Sequence, residues 1–144
     1  MTMRTLLLAA ALFAGTAACS PMAARPMPGD SGSGIVTLSI GARGHAGGLI
    51  LTPIAIVEDS RCPSTVQCIQ AGTIRVETRV ERDGETSTVV LKPYENVLVA
   101  GHRVALLSAC PYPSAPGKIA REDYRLTFTV MPPNVEATVP VVRC

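Results

Sequence analysis

From residue 36 onward, apolar and polar side chains alternate with a period of two. Val36, Leu38 and Ile40 are separated by Thr37 and Ser39, and Ile74, Val76, Thr78 and Val80 by Arg75, Glu77 and Arg79, with Glu81 following. Successive side chains of an extended chain point to opposite faces, so each run predicts a strand with one buried and one solvated face. Asp83-Gly84 supplies two residues that accept positive φ, which predicts a tight hairpin with residues 86–92 returning as the partner strand. Val104, Leu106, Ser108 and Cys110 predict another strand. Tyr124, Leu126, Phe128 and Val130 predict a further one, stopped by Pro132-Pro133. Residues 49–57 are more continuously apolar, which predicts a strand covered on both faces, with Pro53 at a bulge or break. Residues 135–142 read as an edge strand, because Pro140 has no N–H to give to a ladder. No segment keeps a helical period, and no internal repeat is present. About seven short strands between Gly- and Pro-bearing turns predict an all-β fold. The expected form is a small antiparallel β-sandwich, immunoglobulin-like in general plan, with a β-barrel as the alternative.

The N-terminal quarter does not follow this pattern. Arg4 gives a short positive start, residues 6–14 are apolar but too few to span a bilayer comfortably, and Gly15, Thr16, Ala17 and Ala18 lead into Cys19. Residues 1–18 thus read as a signal peptide, and small residues running into a cysteine resemble a lipobox with Cys19 as the lipidated residue. The position three before the cysteine, ordinarily aliphatic, is Thr16 here, so a plain signal-peptidase cut is the alternative. Residues 20–34 are Pro, Met, Ala, Gly and Ser with Arg25 and Asp30 as the charged exceptions, and they lack an apolar period. Such a stretch reads as a flexible linker. The expected organisation is a signal peptide over 1–18, a lipidated linker over 19–34 and a β-sandwich over 35–144. Ser20 directly after Cys19 predicts sorting to the outer membrane under the rule of enteric bacteria, with the domain facing the periplasm. A soluble periplasmic protein is the alternative.

The chain has five cysteines. If Cys19 carries lipid, then Cys62, Cys68, Cys110 and Cys144 remain. Four thiols in an oxidising compartment predict two disulfides, with three connectivities open. The spacing favours Cys62–Cys68, closing a short loop that contains Pro63, and Cys110–Cys144, tying the last residue to an earlier strand. On chain-entropy grounds the two bridges stabilise by about 2 and about 4 kcal/mol respectively.

Composition then narrows the function classes. The 13 basic and 11 acidic residues become 12 and 11 once Arg4 is removed, so no basic stripe is left to track a nucleic acid. There is no Trp, and Tyr94, Tyr112, Tyr124 and Phe128 are the aromatics of the mature chain, too few for stacking platforms. His45 and His102, each preceded by Gly, read as loop residues. They are also the candidates for a periplasmic copper-type metal site, the alternative function. No nucleophile stands in a G-x-S-x-G elbow, and the pattern predicts no catalytic residue and no cofactor. Two proline-bearing loops, 92–96 and 111–117, present Tyr94 and Tyr112 as contact residues for an envelope protein partner.

Residues 58–72 read Glu-Asp-Ser-Arg-Cys-Pro-Ser-Thr-Val-Gln-Cys-Ile-Gln-Ala-Gly. This resembles the signature of a group of bacterial exported proteins and lipoproteins that carry E-D-S-R-C-P, a few residues, and then C-x-x-A-G running into an alternating strand. The resemblance covers residues 49–80. Members often carry Trp two residues after the second cysteine, where this chain has Gln70. The resemblance implies export and a β fold, but no activity. Within it, Asp59 is placed to accept loop N–H groups or to pair with Arg61. Asp59, Ser60 and Arg61 are therefore either a polar recognition patch or the loop's own hydrogen-bonding scaffold. The expected function is a membrane-anchored, non-catalytic binding or structural module.

Overall fold

The computed structural model describes residues 33–135 and 144. The signal peptide, the linker up to residue 32 and nearly all of the expected strand 135–142 lie outside the described residues. Among the described residues eight strands follow one another: β1 Gly34–Leu38, β2 Gly44–Ala46, β3 Leu49–Asp59, β4 Ile74–Arg82, β5 Glu85–Leu91, β6 Asn96–Val99, β7 His102–Cys110 and β8 Arg125–Met131. A single 3₁₀ turn, Arg121–Asp123, precedes β8. None of the described helical segments is long and apolar enough to cross a membrane.

The strands form two antiparallel four-stranded sheets, β1-β8-β7-β6 and β2-β3-β4-β5. This is the expected sandwich, not a closed barrel. Within each sheet the chain moves by hairpins between neighbours, and β1 returns beside β8. The order around the molecule is therefore that of an up-and-down ring opened at two seams, β1/β2 and β5/β6, where strands touch without a ladder. The crossing connections of a Greek key are not used.

Alternation decides what each strand buries. On β4, Ile74, Val76, Thr78 and Val80 are buried, while Arg75 and Glu77 are half-buried and Arg79 is exposed. They meet Leu49 and Leu51 of β3, Leu106 of β7, and Leu126, Phe128 and Val130 of β8 in one core between the sheets. On β3 Leu49, Leu51 and Pro53 are buried and the positions between them half-buried, while beyond Pro53 none of its residues is fully buried and Val57 is exposed, so its continuous apolar run is not covered on both faces. The register slips beside Pro53, because a residue without an N–H cannot hold its place in the ladder.

Three hairpins turn on two residues that both have positive φ: Gly47-Gly48, Asp83-Gly84 and Ala100-Gly101. The Asp83-Gly84 turn is the predicted one. The Ala100-Gly101 turn puts an alanine at φ 48°, where its Cβ crowds the following carbonyl. Among the described residues two buried side-chain atoms of β4 have no hydrogen-bond partner, Arg75 Nε and, fully buried in the core, the Thr78 hydroxyl.

Two substitutions should therefore stabilise the fold. Ala100→Gly should gain up to about 1 kcal/mol by removing the crowded Cβ. Thr78→Val, which keeps the shape and removes an unsatisfied hydroxyl, should gain about 1 kcal/mol. Denaturant midpoints read both, at an unchanged slope, and a lower midpoint for either variant contradicts its account.

Candidate functional site

The site grows from the end of β3. Where the strand stops, the backbone N–H of Ser60 donates to the Thr73 carbonyl (2.8 Å) and the Thr73 N–H donates to Ser60 Oγ (3.1 Å). This closes the base of an excursion over residues 60–73. Gly72 lies so close to the Ser60 carbonyl that a Cβ there would sit 1.5 Å from the oxygen, so the closure needs a residue without a side chain. The Cys62–Cys68 disulfide staples the loop, with Cα atoms 6.0 Å apart. The Ser64 N–H donates to the Pro113 carbonyl (3.0 Å) and Thr65 Oγ1 to the Ser114 carbonyl (2.6 Å), docking the stapled loop on the segment that follows β7. The second disulfide, Cys110–Cys144, holds the start of that segment, with Cα atoms 5.4 Å apart. Both bridges are the pairs that the spacing favoured.

Under the stapled loop lies a charged latch. Arg61 meets Asp59 in a two-pronged pair, Nε to Oδ1 at 2.8 Å and Nη2 to Oδ2 at 2.7 Å. The same guanidinium donates to the carbonyls of Ala109 and Pro111, the latter at 3.2 Å. Tyr124, only 4% exposed, donates its hydroxyl to Asp59 Oδ2 at 2.7 Å. Tyr112 places its ring beneath the guanidinium, 5.5 Å from ring centroid to Cζ, and is itself half open to solvent. The Arg61 side chain is 8% exposed and that of Asp59 15%, so the pair is largely removed from water and its hydrogen bonds must be met within the fold.

These contacts move two titrations. Burial opposes the ionisation of Asp59, but the hydrogen bonds from Arg61 and Tyr124 and the guanidinium's charge outweigh it and hold the carboxyl below its ordinary value of 3.8. Burial, and then the carboxylate that accepts its hydrogen bond, push the Tyr124 phenol up to about 12. Asp59 is thus a fixed anion whose oxygens face donors of the same chain.

Beside the latch runs a groove of about 410 Å³ between the second half of β3 and residues 113–121. Its apolar lining is Ile40, Ala55, Ile56, Val57, Pro63, Pro113 and Ile119. Glu58, Asp59, Arg61, Lys118, Arg121 and Tyr124 give its polar groups. Glu58 accepts from Ser60 Oγ (3.0 Å) and lies 3.7 Å from Arg75. Arg121 donates to the Ile54 carbonyl (2.9 Å), and Lys118 is exposed.

Of the residues singled out in the sequence, the structure brings Asp59, Arg61 and Tyr112 together, while Ser60 Oγ meets Glu58 and Thr73, and neither Ser60 nor Tyr112 lines the groove. Three of the four spend their polar atoms on the loop's own scaffold, and Tyr112 contributes its ring. Tyr94 stands in the separate 92–96 loop and does not line the groove. The expectation that His102 is a loop residue fails. It opens β7, is 6% exposed, and its Nδ1 lies 3.0 Å from Nη1 of Arg82. The same Nδ1 lies 3.1 Å from the Ala100 carbonyl, so the ring nitrogen sits among polar groups of its own fold. His45 is exposed on β2 in the other sheet. Among the described residues, no group of three or more His, Cys, Asp or Glu is placed to hold a metal. Tyr124, Lys118 and Arg121 went unremarked in the sequence as site residues. Tyr124 reads as a core position by its alternation, and nothing local says where its hydroxyl points. Compared with known proteins, the chain matches no family model, no curated protein and no solved structure.

The latch predicts a stability profile. Because folding lowers the pKa of Asp59, its contribution is complete above 3.8 and disappears as pH falls through the lower folded value. Folding raises the pKa of Tyr124, so its contribution is complete below pH 10 and is lost as pH climbs towards about 12. Tyr124→Phe should cost about 2 kcal/mol at pH 7, the range for a hydrogen bond to a charged group. It should also abolish the alkaline loss and start the acid loss at higher pH. Urea unfolding across the pH range measures all three, and an unchanged alkaline limb would remove Tyr124 from the latch.

Proposed function

We propose that this protein is an envelope lipoprotein, anchored through Cys19, whose sandwich serves as a non-catalytic binding module. The observation that carries the binding reading is the groove beside the latch: concave, lined by apolar side chains and polar groups together, and bordered by a loop that a disulfide, an ion pair and inter-loop hydrogen bonds fix in place. Ligand sites are commonly concavities of 300–1,000 Å³, apolar with a few placed polar groups, and a wall that is already rigid loses little entropy when it is occupied. The charged groups of the latch face each other and backbone carbonyls, an arrangement suited to holding shape rather than to passing a proton.

The anchor reading is supported by the signal-like N-terminus and by cysteine parity. Two bridges account for four of the five cysteines and leave Cys19 to take the lipid. Diacylation of that residue would hold the domain at the membrane, which a single acyl chain does only marginally. Outer-membrane sorting with the domain in the periplasm follows from Ser20 on the same reading.

Cell fractionation tests it. The wild-type chain should sediment with outer membranes and release only with detergent. Cys19→Ala should appear in the soluble periplasmic fraction or retain an uncleaved signal peptide, without the mass of the lipid. A Cys19→Ala chain that is processed normally and stays with the membrane refutes the anchor.

A further inference from the structure

We infer that the groove takes an extended, acidic-aliphatic peptide segment of a partner protein, added as a strand along the free edge of β3. The inference rests on the binding reading above and names its ligand class.

The first support is the edge itself. β3 is eleven residues long, yet β2 pairs only with Leu49, Ile50 and Leu51. Beyond that point the Pro53 carbonyl accepts from the Gly41 N–H (2.7 Å) and the Ile54 carbonyl from Arg121 (2.9 Å). From Ala55 onward β3 has β4 on one side and, among the described residues, no strand on the other. That same stretch, residues 55–59, is a wall of the groove. A strand edge that opens into a concavity offers main-chain hydrogen bonds for affinity and a pocket for alternate side chains.

Charge decides which peptide. Asp59 is neutralised by Arg61, and Glu58 lies against Arg75. Lys118 and Arg121 line the groove and face no acid of the described chain in an ion pair. The unspent charge of the groove is therefore positive, set beside Ile56, Val57 and Ile119. An extended peptide that alternates aliphatic and carboxylate side chains matches both features, because alternate residues point to opposite faces. A basic peptide would meet two cations.

The experiment uses the full chain purified with its own N-terminus and three fluorescein-labelled pentapeptides. Each is acetylated and amidated, so that the only carboxylates are side chains: Val-Glu-Val-Glu-Val, its glutamine counterpart and its lysine counterpart. Anisotropy at low salt should show the glutamate peptide binding at least tenfold tighter than the glutamine one, and the gap should shrink as salt rises. Lys118→Glu, a change at an exposed position that leaves the latch intact, should lower affinity for the glutamate peptide about tenfold and raise it for the lysine peptide. Amide exchange should slow at residues 55–58 when the glutamate peptide is bound. Equal binding of all three peptides with those amides slowed overturns the charge argument and leaves the groove standing as a binding site. Slowing on β5 instead places the peptide on the other edge and overturns the proposal. Occupation by dodecanoate in competition with the peptide, or by a second copy of the chain through self-association, overturns it too. If no peptide binds and no amide slows, both the ligand class and the groove's binding role fall, whatever fractionation says of the anchor.

Discussion

The Asp59–Arg61–Tyr124 latch joins elements that the ladders leave apart. Asp59 closes β3 in one sheet, whereas Tyr124 immediately precedes β8 in the other, and Arg61 reaches the carbonyl of Ala109 in β7. The two sheets share no ladder, so at this end of the sandwich the polar links between them include a carboxylate held by a guanidinium and a phenol, beside the Arg121 bond to the Ile54 carbonyl. A buried pair of this kind is weak evidence for net stability, since desolvation offsets much of the attraction. Removing one partner, however, leaves the other's charge without its partner. What the latch contributes most directly is position. It fixes the stapled loop against the segment after β7 and so sets the shape of the groove between them.

Rigidity here is layered outward from the base of the loop. The Ser60–Thr73 contacts close the loop's base, Cys62–Cys68 shortens it, Ser64 and Thr65 dock it, and Cys110–Cys144 secures the surface on which it docks. Each step restrains backbone that would otherwise have to be ordered on binding. A loop without regular structure can then wall a concavity as firmly as a strand does.

Period two, or in β3 a continuous apolar run, made β1, β3, β4, β7 and β8 legible, and the Asp83-Gly84 turn made β5 legible as the returning strand. β2 and β6 were not legible. Three and four residues hold too little pattern to separate a strand from a loop, and both are defined by the hairpins that end in Gly47-Gly48 and Ala100-Gly101. Flanking glycine misled at His102: it marks the turn before the residue, while the imidazole itself begins a strand and meets Arg82, twenty positions away. Half of the site was visible in the same way. Asp59 and Arg61 are near neighbours whose pairing the sequence suggests, and the disulfides follow from spacing. Tyr124, Lys118 and Arg121 join the site only through tertiary folding, some sixty residues along the chain, and no local signal encodes that.

The seam between β1 and β2 has a mechanical consequence. β1 enters the sheet at Gly34 opposite Val130 and leaves at Leu38 opposite Leu126, next to the latch residue Tyr124. A pull arriving from the N-terminal side draws β1 along its own axis from the Gly34 end, while the latch resists from the opposite end of β8. The five-residue ladder, with the Thr37–Thr127 hydroxyl contact beside it, is then loaded in shear, its bonds sharing the force at once. Peeling would break the same bonds one at a time. For a domain held by its N-terminus while something draws on β3, the line of tension runs β1, β8, Tyr124, Asp59.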